Sequence, residues 1–347
     1  MLACVIHATG ELDQIQLLDV PAPGAPAPGQ VRVAMRAAAL NHLDLFVVRG
    51  LPHEYAFPHV LGADGAGVVD AVGQGVTRFR PGDRVMINPG IVDHSCEFCR
   101  AGEQSLCVNL RLLGEHLSGT MTAFVNLPES NLALVPSLDP LLSWAEAAAF
   151  SLVTLTAWRM LVTRARVRAG ETVLVWGVGG GMALAALRIA KLLGAQVIAT
   201  SSSDTKLTAA TALGADHVLN HRTEPIAKAV RSLTQGRGVD IVVENGGEAT
   251  WEQSLKSLAK GGRLVTCGAT TGPKVVTDAR RLFWNQYTIM GSTLGNEAEY
   301  HEVVRQLGQG RLRPIVDRVY PLAEARAAFE RLERGEQMGK VVVEIGG

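Results

Sequence analysis

The pattern of apolar and polar residues divides the sequence into two parts. In the first third, apolar and polar positions alternate over residues 31–37, as in a strand with one buried face. Two further short strands are predicted at 65–72 and 83–87, separated by a turn that contains Pro81 and Gly82. Short strands between glycine and proline turns indicate a small β-rich domain, either a barrel or a sandwich.

From Ser143 onward, helix and strand patterns alternate. Ser143 and Glu146 match a capping box, which predicts a helix that continues through Trp158 and links two domains. Later helices are predicted at 182–193 and 206–213, each stopped by a glycine. Strands are predicted at 172–176, 196–200, 217–219, 239–244, 263–268 and 287–291. Six strands with helices in most of the gaps indicate a doubly wound parallel sheet.

These patterns predict an α/β chain with a β-rich domain at 1–150 and a six-stranded doubly wound domain at 151–293. A strand at 318–320, a helix at 322–334 and a strand at 340–345 follow. We expect this last segment, 294–347, to return to the first domain.

Composition and charge exclude several classes of function. The 347 residues carry 33 Lys+Arg and 33 Asp+Glu, so there is no basic field to hold nucleic acid or an anionic membrane surface. The first residues lack the basic start of a signal peptide, and the longest charge-free apolar stretch, 172–187, contains four glycines. Five cysteines are too few for a disulfide scaffold. We expect a soluble, cytoplasmic enzyme that acts on a small molecule.

A glycine-rich turn follows the strand at 172–176 and opens a helix. Small residues at Gly177, Gly180 and Ala183 let the backbone approach a pyrophosphate, which the amides at the helix N-terminus would bind. A tight turn without a ligand is the alternative, and the strand, the helix and the following β-α-β order favour a dinucleotide. The residues predicted to bind it here are Gly177, Val178, Gly179, Gly180, Gly181 and Met182.

Three of the five cysteines lie close together in the sequence. Cys96, Cys99 and Cys107 are soft ligands with the spacing of a tetrahedral zinc site. The fourth ligand is either Asp93 or the neighbouring His94. The lobe at about 90–112 is therefore predicted to hold one structural zinc, and three metal-free thiols are the alternative.

The chain resembles the medium-chain dehydrogenase/reductase superfamily, which includes zinc alcohol dehydrogenases and quinone oxidoreductases. The motifs that carry the resemblance are NHLD at 41–44, GADGAG at 62–67, PGDRV at 81–85, the cysteine lobe and the glycine turn. The resemblance implies a GroES-like catalytic domain, a Rossmann cofactor domain and an active site between them. It also implies a homodimer or homotetramer formed through the strand at 287–291.

Departures from the family pattern concern the catalytic zinc. Asn41 stands where the zinc enzymes have a cysteine ligand, Ala63 replaces the histidine ligand, and the third ligand position, near Val153, offers no donor. Leu43 replaces the hydroxyl of the proton relay. Without a Lewis acid, hydride transfer is easier to acceptors that delocalise charge, so the pattern predicts reduction of a quinone, an enone or an enoyl thioester.

The sequence alone leaves more than one assignment of the catalytic roles. The Asn41 amide is predicted to donate a hydrogen bond either to the substrate or to the nicotinamide ribose. Tyr55 is a candidate proton donor, with His42 and His116 as rivals. One alternative is an alcohol dehydrogenase or carbonyl reductase that uses a metal held by His42, His59 and Asp64. Another is a cofactor-binding redox sensor without catalysis.

The sequence favours NADP(H) over NAD(H). Ser201 occupies the slot that is acidic in NAD-specific sites, and Lys206 can supply positive charge to a 2′-phosphate. His221 stands where related NADPH-dependent reductases often have a tyrosine, and Asp204 is the alternative partner for the ribose. The resemblance adds four further cofactor-binding positions, which are Thr156, Gly246, Gly268 and Lys340.

Overall fold

The computed structural model describes residues 1–346, which form two compact units. One unit combines residues 1–153 with the chain from residue 296 onward, and the other contains residues 154–295. The sequence placed these divisions after residues 150 and 293. Among the described residues, no helix has the length and apolar character needed to cross a membrane.

The first unit begins as a β-rich domain, which confirms the prediction from alternating residues. In β3, every second side chain from Val31 to Met35 is buried, and the polar positions between them are half-buried. The strands of this segment are β1 (Leu2–Ile6), β2 (Gln16–Asp19), β3 (Gln30–Ala39), β4 (His59–Val60), β5 (Asp64–Val72), β6 (Arg84–Ile87), β7 (Gly90–Ile91), β8 (Arg111–Leu112), β9 (Phe124–Pro128) and β10 (Leu132–Leu134). The helices are α1 (His42–Arg49), α2 (Glu97–Arg100) and α3 (Trp144–Ala148), with 3-10 turns at Leu12–Gln14, Gln104–Leu106 and Glu129–Asn131.

The helix predicted from Ser143 through Trp158 is interrupted. The capping box is confirmed, since the Ser143 hydroxyl accepts from the Glu146 amide, but α3 ends at Ala148. A second helix, α4 (Ser151–Trp158), follows and continues into a π-helix at Arg159–Arg164. Almost all residues of α4 are buried, so the sequence carries no periodic polar face from which the break could be predicted.

The second unit contains the predicted six-stranded parallel sheet, in the order β13-β12-β11-β14-β15-β16. Its inner strands are apolar on both faces because helices cover both sides of the sheet. The strands are β11 (Thr172–Val175), β12 (Gln196–Ser201), β13 (His217–Asn220), β14 (Val239–Glu244), β15 (Leu258–Thr266) and β16 (Thr288–Gly291). The helices are α5 (Gly181–Leu192), α6 (Asp204–Ala212), α7 (Ile226–Leu233), α8 (Trp251–Ser257) and α9 (Ala279–Asn285).

The C-terminal segment completes the first unit. It contains α10 (Glu297–Gly308), β17 (Val316–Pro321), a 3-10 turn at Leu322–Glu324, α11 (Ala325–Glu333) and β18 (Lys340–Glu344). The main sheet of the unit has the order β10-β6-β5-β3-β18-β17, and β9 also pairs with β3. The last strand of the chain therefore lies inside the sheet, where β18 runs antiparallel to β3.

Candidate active site and metal centre

The glycine turn connects β11 to α5 as the sequence predicts. Gly177 and Gly179 have φ values of +68° and +154°, a region that favours glycine. The amide of Val178 donates to the carbonyl of Thr200 at 2.7 Å, which fixes the turn against β12. Gly180 is the N-cap of α5, so the first amides of this helix lie in the turn. The turn thus presents an anion-binding helix N-terminus.

The position of the turn in the sheet is that of a dinucleotide site. The strand order reverses between β11 and β14, and ligands of open α/β sheets bind beyond the carboxyl ends of strands at such a point. Gly246 follows β14, and Gly268 follows β15, so both lie at this end of the sheet. Thr156 is a buried residue of α4 in the same unit.

Residues at the end of β12 form the region expected to bind the adenosine ribose. Ser201 is the last residue of β12, and its hydroxyl accepts from the Ser203 amide at 3.2 Å. Lys206 lies in the first turn of α6. His221 follows β13, with its Nδ1 3.1 Å from the hydroxyl of Thr200. Asp204 accepts from the Asn220 side chain at 2.7 Å, so this carboxylate is tied to the end of β13.

The cysteine lobe brings four potential ligands together. One ligand atom from each of Asp93, Cys96, Cys99 and Cys107 lies within 4.8 Å of the others. Backbone amides of Cys99 and Asn109 donate to the sulfur atoms of Cys96 and Cys107 at 3.5 and 3.4 Å. Such N–H···S bonds stabilise thiolates, so the donor set fits tetrahedral zinc.

Asp93 and His94 differ in where their side chains lie. Asp93 accepts from the amides of Ser95 and Cys96 and from the side chain of Asn109, and these hydrogen bonds hold its pKa well below the usual range. The carboxylate is thus ionised and fixed beside the thiols. The His94 side chain instead pairs with Glu297, since its Nδ1 is 3.5 Å from a carboxylate oxygen of that residue. Geometry favours Asp93 as the fourth ligand.

A second cluster lies where the family has its catalytic zinc. The Lys340 ammonium lies 2.9 Å from Oδ2 of Asp64 and donates to Oδ1 of Asn41. The Asn41 amide nitrogen donates to Oδ2 of Asp64 at 3.1 Å and to the carbonyl of Ala39 at 3.3 Å. All three side chains are buried. We therefore place Lys340 with Asn41 and Asp64 in the first unit, whereas the sequence assigned it to the cofactor.

The donor set of this cluster does not fit a catalytic zinc. Ala63 and Val153 offer no ligand atom, and both amide hydrogens of Asn41 are used within the protein. The other oxygen of Asp64 accepts from the amide of Leu152 at 2.9 Å. A hydrogen bond from Asn41 to substrate, as the sequence suggested, would therefore require this network to open.

Asp44 is a buried carboxyl group beside the same cluster. Its Oδ2 accepts from the amide of Asn41 at 2.6 Å, which completes the capping box of α1, and its Oδ1 has no hydrogen-bond partner. Burial raises the pKa of Asp44 to about 7, and the nearby charge of Lys340 opposes this shift only in part.

The alternative metal site from His42, His59 and Asp64 does not form. Among residues 1–346, two clusters could hold a metal, and neither contains any of these three. His59 Nε2 is 3.0 Å from the carbonyl of Gly114, and burial lowers the pKa of both histidines, that of His42 also under the charge of Lys340.

The second metal-capable cluster contains His53, Glu115 and His116. The amide of Leu112 donates to Nδ1 of His116 at 3.2 Å, so the neutral ring carries its proton on Nε2, 3.7 Å from the Glu115 carboxylate. The rings of His53 and His116 are stacked at 4.8 Å, with their lone pairs in parallel planes. One ligand atom from each of the three side chains lies within 4.8 Å of the others, so this cluster brings two imidazoles and a carboxylate together.

Tyr55 lies against this cluster of rings. Its ring centroid is 4.5 Å from that of His53 and 5.2 Å from that of His59. The Tyr55 hydroxyl accepts from the amide of Leu51 at 3.2 Å, which leaves its own proton available to a ligand. Partial burial raises the pKa of Tyr55, so the phenol keeps its proton at neutral pH.

Comparison with known proteins accounts for both units. Residues 27–137 match the model of the alcohol dehydrogenase GroES-like domain, and residues 181–309 match that of the zinc-binding dehydrogenases. An NAD-dependent alcohol dehydrogenase of Sulfolobus acidocaldarius is 32% identical over 99% of this chain and 100% of its own. The chain belongs to the medium-chain dehydrogenase/reductase family. The relatives that this chain matches within the family are NAD(P)-dependent oxidoreductases, and this protein is one as well.

Two further relatives show how the family varies around this fold. The crystal structure of an NAD-dependent alcohol dehydrogenase superposes with a TM-score of 0.95 at 45% identity, over 100% of both chains. An acryloyl-coenzyme A reductase of Metallosphaera sedula is 31% identical over 92% of this chain and 93% of its own. This medium-chain dehydrogenase/reductase is thus similar both to alcohol dehydrogenases and to a reductase of an unsaturated thioester.

Sequence reasoning missed the partnership of Lys340 with Asp64. The two residues are 276 positions apart, and only the placement of β18 next to β3 brings them together. A lysine directly before the apolar run Val341–Val343 was the available signal.

Proposed function

We propose that this protein uses NADPH to reduce an activated acceptor, with an α,β-unsaturated thioester as the favoured class, and that it does so without catalytic zinc. The observation that carries this proposal is the closed network of Asn41, Asp64 and Lys340. The relatives that match the chain over most of its length include both an alcohol dehydrogenase and an acryloyl-coenzyme A reductase, so two chemistries have to be compared.

The network supports reduction of a conjugated thioester over oxidation of an alcohol, because the two reactions make different demands on the site. Oxidation of a simple alcohol needs a metal or a strong base to stabilise the alkoxide. The side chains at the family's zinc position offer neither, because Asp64 is already bonded to an ammonium and Asn41 is neutral. Reduction of a conjugated thioester places the incoming charge on an enolate oxygen, for which hydrogen-bond donors suffice.

The proton that completes the reduction comes, in this proposal, from Tyr55. NADPH, if held at the glycine turn 177–181, would supply the hydride for the β-carbon. The Tyr55 hydroxyl has a proton to give, because its oxygen accepts from Leu51 and the proton is not engaged there. His116 is the second candidate, since its tautomer directs an Nε2 proton toward Glu115.

Preference for NADPH rests on the end of β12. Ser201, at the end of β12, leaves room for a 2′-phosphate, and Lys206 lies in the first turn of the helix that follows. The bond from Asn220 to Asp204 supports this reading, because it engages an oxygen of the carboxylate that is the alternative partner for the ribose.

One zinc per chain, held by Asp93, Cys96, Cys99 and Cys107, is proposed for the lobe. Four protein ligands would leave no open position, so this zinc would stabilise the lobe and would take no part in hydride transfer.

A homodimer, or a tetramer built from two dimers, is proposed through β16. This strand is the edge of the six-stranded sheet, and an unpaired edge favours pairing with a second copy. The segment before it exposes Val276, Phe283 and Trp284, which supports a covered surface.

The decisive experiment is a steady-state assay with three substrate classes. NADPH oxidation is followed with crotonyl-coenzyme A, a simple enone and a quinone, and NAD(P)⁺ reduction is followed with primary and secondary alcohols. Turnover of the unsaturated acceptors with no turnover of alcohols is expected. Turnover of alcohols alone would establish the alcohol dehydrogenase alternative, and tight cofactor binding without any turnover would establish the redox sensor.

A further inference from the structure

Glu244 is a completely buried carboxylate at the carboxyl end of β14. Among residues 1–346 it forms no ion pair, and four neutral donors satisfy it. Its Oε1 accepts from the amide of Gly246 at 2.7 Å, from the amide of Gly247 at 3.1 Å and from the hydroxyl of Thr250 at 2.7 Å. Its Oε2 accepts from the hydroxyl of Ser254. A buried charge that relies on four hydrogen bonds fixes the position of every donor.

On one side, the carboxylate shapes the loop that follows β14. Gly247 has a φ of +87°, and a Cβ atom there would lie 2.4 Å from the carbonyl oxygen of Gly272. The carbonyl of Gly246 accepts from the amide of Thr271 at 2.7 Å, so the loops after β14 and β15 are joined. Glu244 thus holds one wall of the crevice at the carboxyl end of the sheet.

On the other side, Ser254 connects the carboxylate to the glycine turn. The Ser254 hydroxyl gives its only proton to Glu244, and its oxygen accepts from Nε1 of Trp176 at 2.7 Å. Trp176 directly precedes Gly177, and its ring lies 5.9 Å from that of His221. The Thr200 hydroxyl in turn contacts His221 and accepts from the Gly177 amide at 3.3 Å.

We propose that Glu244 is a positioning residue that couples the two walls of the cofactor site. The loop at 245–247 and the turn at 177–181 follow β14 and β11, the strands between which the sheet order reverses. One carboxylate bonds to the first wall directly and to the second through Ser254 and Trp176. The proposal rests on NAD(P) binding by the family and is independent of the proposed substrate.

The test compares Glu244→Gln with a matched control, Glu171→Gln. The glutamine keeps one carbonyl oxygen for the donors on Oε1 but replaces Oε2 by an NH₂ group, which cannot accept from the Ser254 hydroxyl, so the charged link from the loop to the turn is lost. Glu171 precedes β11 at the opposite end of the sheet and forms a partly exposed ion pair with Arg263, so its variant makes the same Glu-to-Gln change far from the turn. Dissociation constants for NADPH, NADH and ADP-ribose are measured by calorimetry without substrate, together with the melting temperature.

Glu244→Gln is expected to weaken the tighter of the two dinucleotides about tenfold or more, the loss of one charge-assisted hydrogen bond. It is also expected to weaken ADP-ribose about threefold or more, although ADP-ribose lacks nicotinamide. Glu171→Gln is expected to change neither constant by more than about twofold. Equal constants for the two variants would overturn the proposal.

Ser254→Ala gives a second, milder test in case Glu244→Gln does not fold. It removes the bond to Trp176 and leaves the bonds to Gly246 and Gly247. Weaker binding of ADP-ribose is expected, and unchanged ADP-ribose binding would refute the coupling between the two walls.

Discussion

The Lys340 ammonium lies 2.9 Å from a carboxylate oxygen of Asp64, and both side chains are inaccessible to solvent. A buried ion pair is costly to break, because removing one partner leaves the other charge uncompensated. Lys340→Met is therefore expected to lower the free energy of unfolding by about 3–5 kcal/mol. Urea denaturation measures this loss.

Two comparisons make this prediction specific. Adding Asp64→Asn to Lys340→Met should restore at least half of the lost stability, since the orphaned charge is then gone. Lys191→Ala breaks an ion pair to Asp216 that is partly exposed, and it should cost about 1 kcal/mol or less. Equal losses for Lys340→Met and Lys191→Ala would contradict the buried pair.

Asp44 predicts a pH dependence of stability. Its pKa of about 7 in the folded chain exceeds the ordinary value near 3.8, so the folded state holds a proton that the unfolded state releases. The contribution of this group is therefore fully favourable below about pH 4 and is lost as pH rises through about 7. Asp44→Asn should flatten the fall in unfolding free energy between about pH 4 and pH 7. A variant whose slope matches that of the parent would show that Asp44 does not titrate in this range.

Zinc content tests the cysteine lobe. Elemental analysis should find about one zinc per chain, and Cys99→Ser should lower both the zinc content and the melting temperature with much less effect on hydride transfer. Cys267→Ser, which changes a thiol outside the lobe, should keep its zinc. For the fourth ligand, Asp93→Ala should lose zinc and His94→Ala should retain it. Two zinc ions per chain would indicate a second, catalytic zinc and would favour the alternative of an alcohol dehydrogenase.

Cofactor choice is tested at Ser201. The parent should bind NADPH more tightly than NADH. Ser201→Asp should weaken NADPH far more than NADH, because a carboxylate would face the 2′-phosphate across a short gap. Equal or tighter binding of NADH by the parent enzyme would exclude the preference for NADPH.

Light scattering tests the assembly. At micromolar concentration the measured molar mass should be that of a dimer or a tetramer, as expected if the edge strand β16 is covered by a second copy. A monomer under these conditions would count against pairing through this strand.

Sequence patterns predicted the local structure where several signals coincide, but they did not predict element boundaries that depend on tertiary packing. The turn at Gly177 was predicted because glycine, strand and helix signals coincide within a few residues. The break between α3 and α4 was not, because residues buried on all sides give no periodic signal. Strand β15 begins at Leu258, five residues before the predicted start, and its early Gly261 and Gly262 had the appearance of a turn.

Contacts between residues that are far apart in the sequence could not be predicted either. The cysteine ligands lie within 15 positions of one another, so their spacing predicted the cluster in the lobe. Glu244 and Trp176 are joined only through Ser254, and three separate elements of the second unit must pack before that contact exists. Contacts of this kind require knowledge of the topology.

The interior place of β18 has a consequence for how the protein is made. A ribosome delivers residues in order, so all six strands of the parallel sheet emerge while the first unit still lacks its final strand. During that interval Asp64 has no ammonium beside it. The parallel sheet of the second unit can therefore form during synthesis, whereas Asp64 gains its balancing charge only after β18 has emerged.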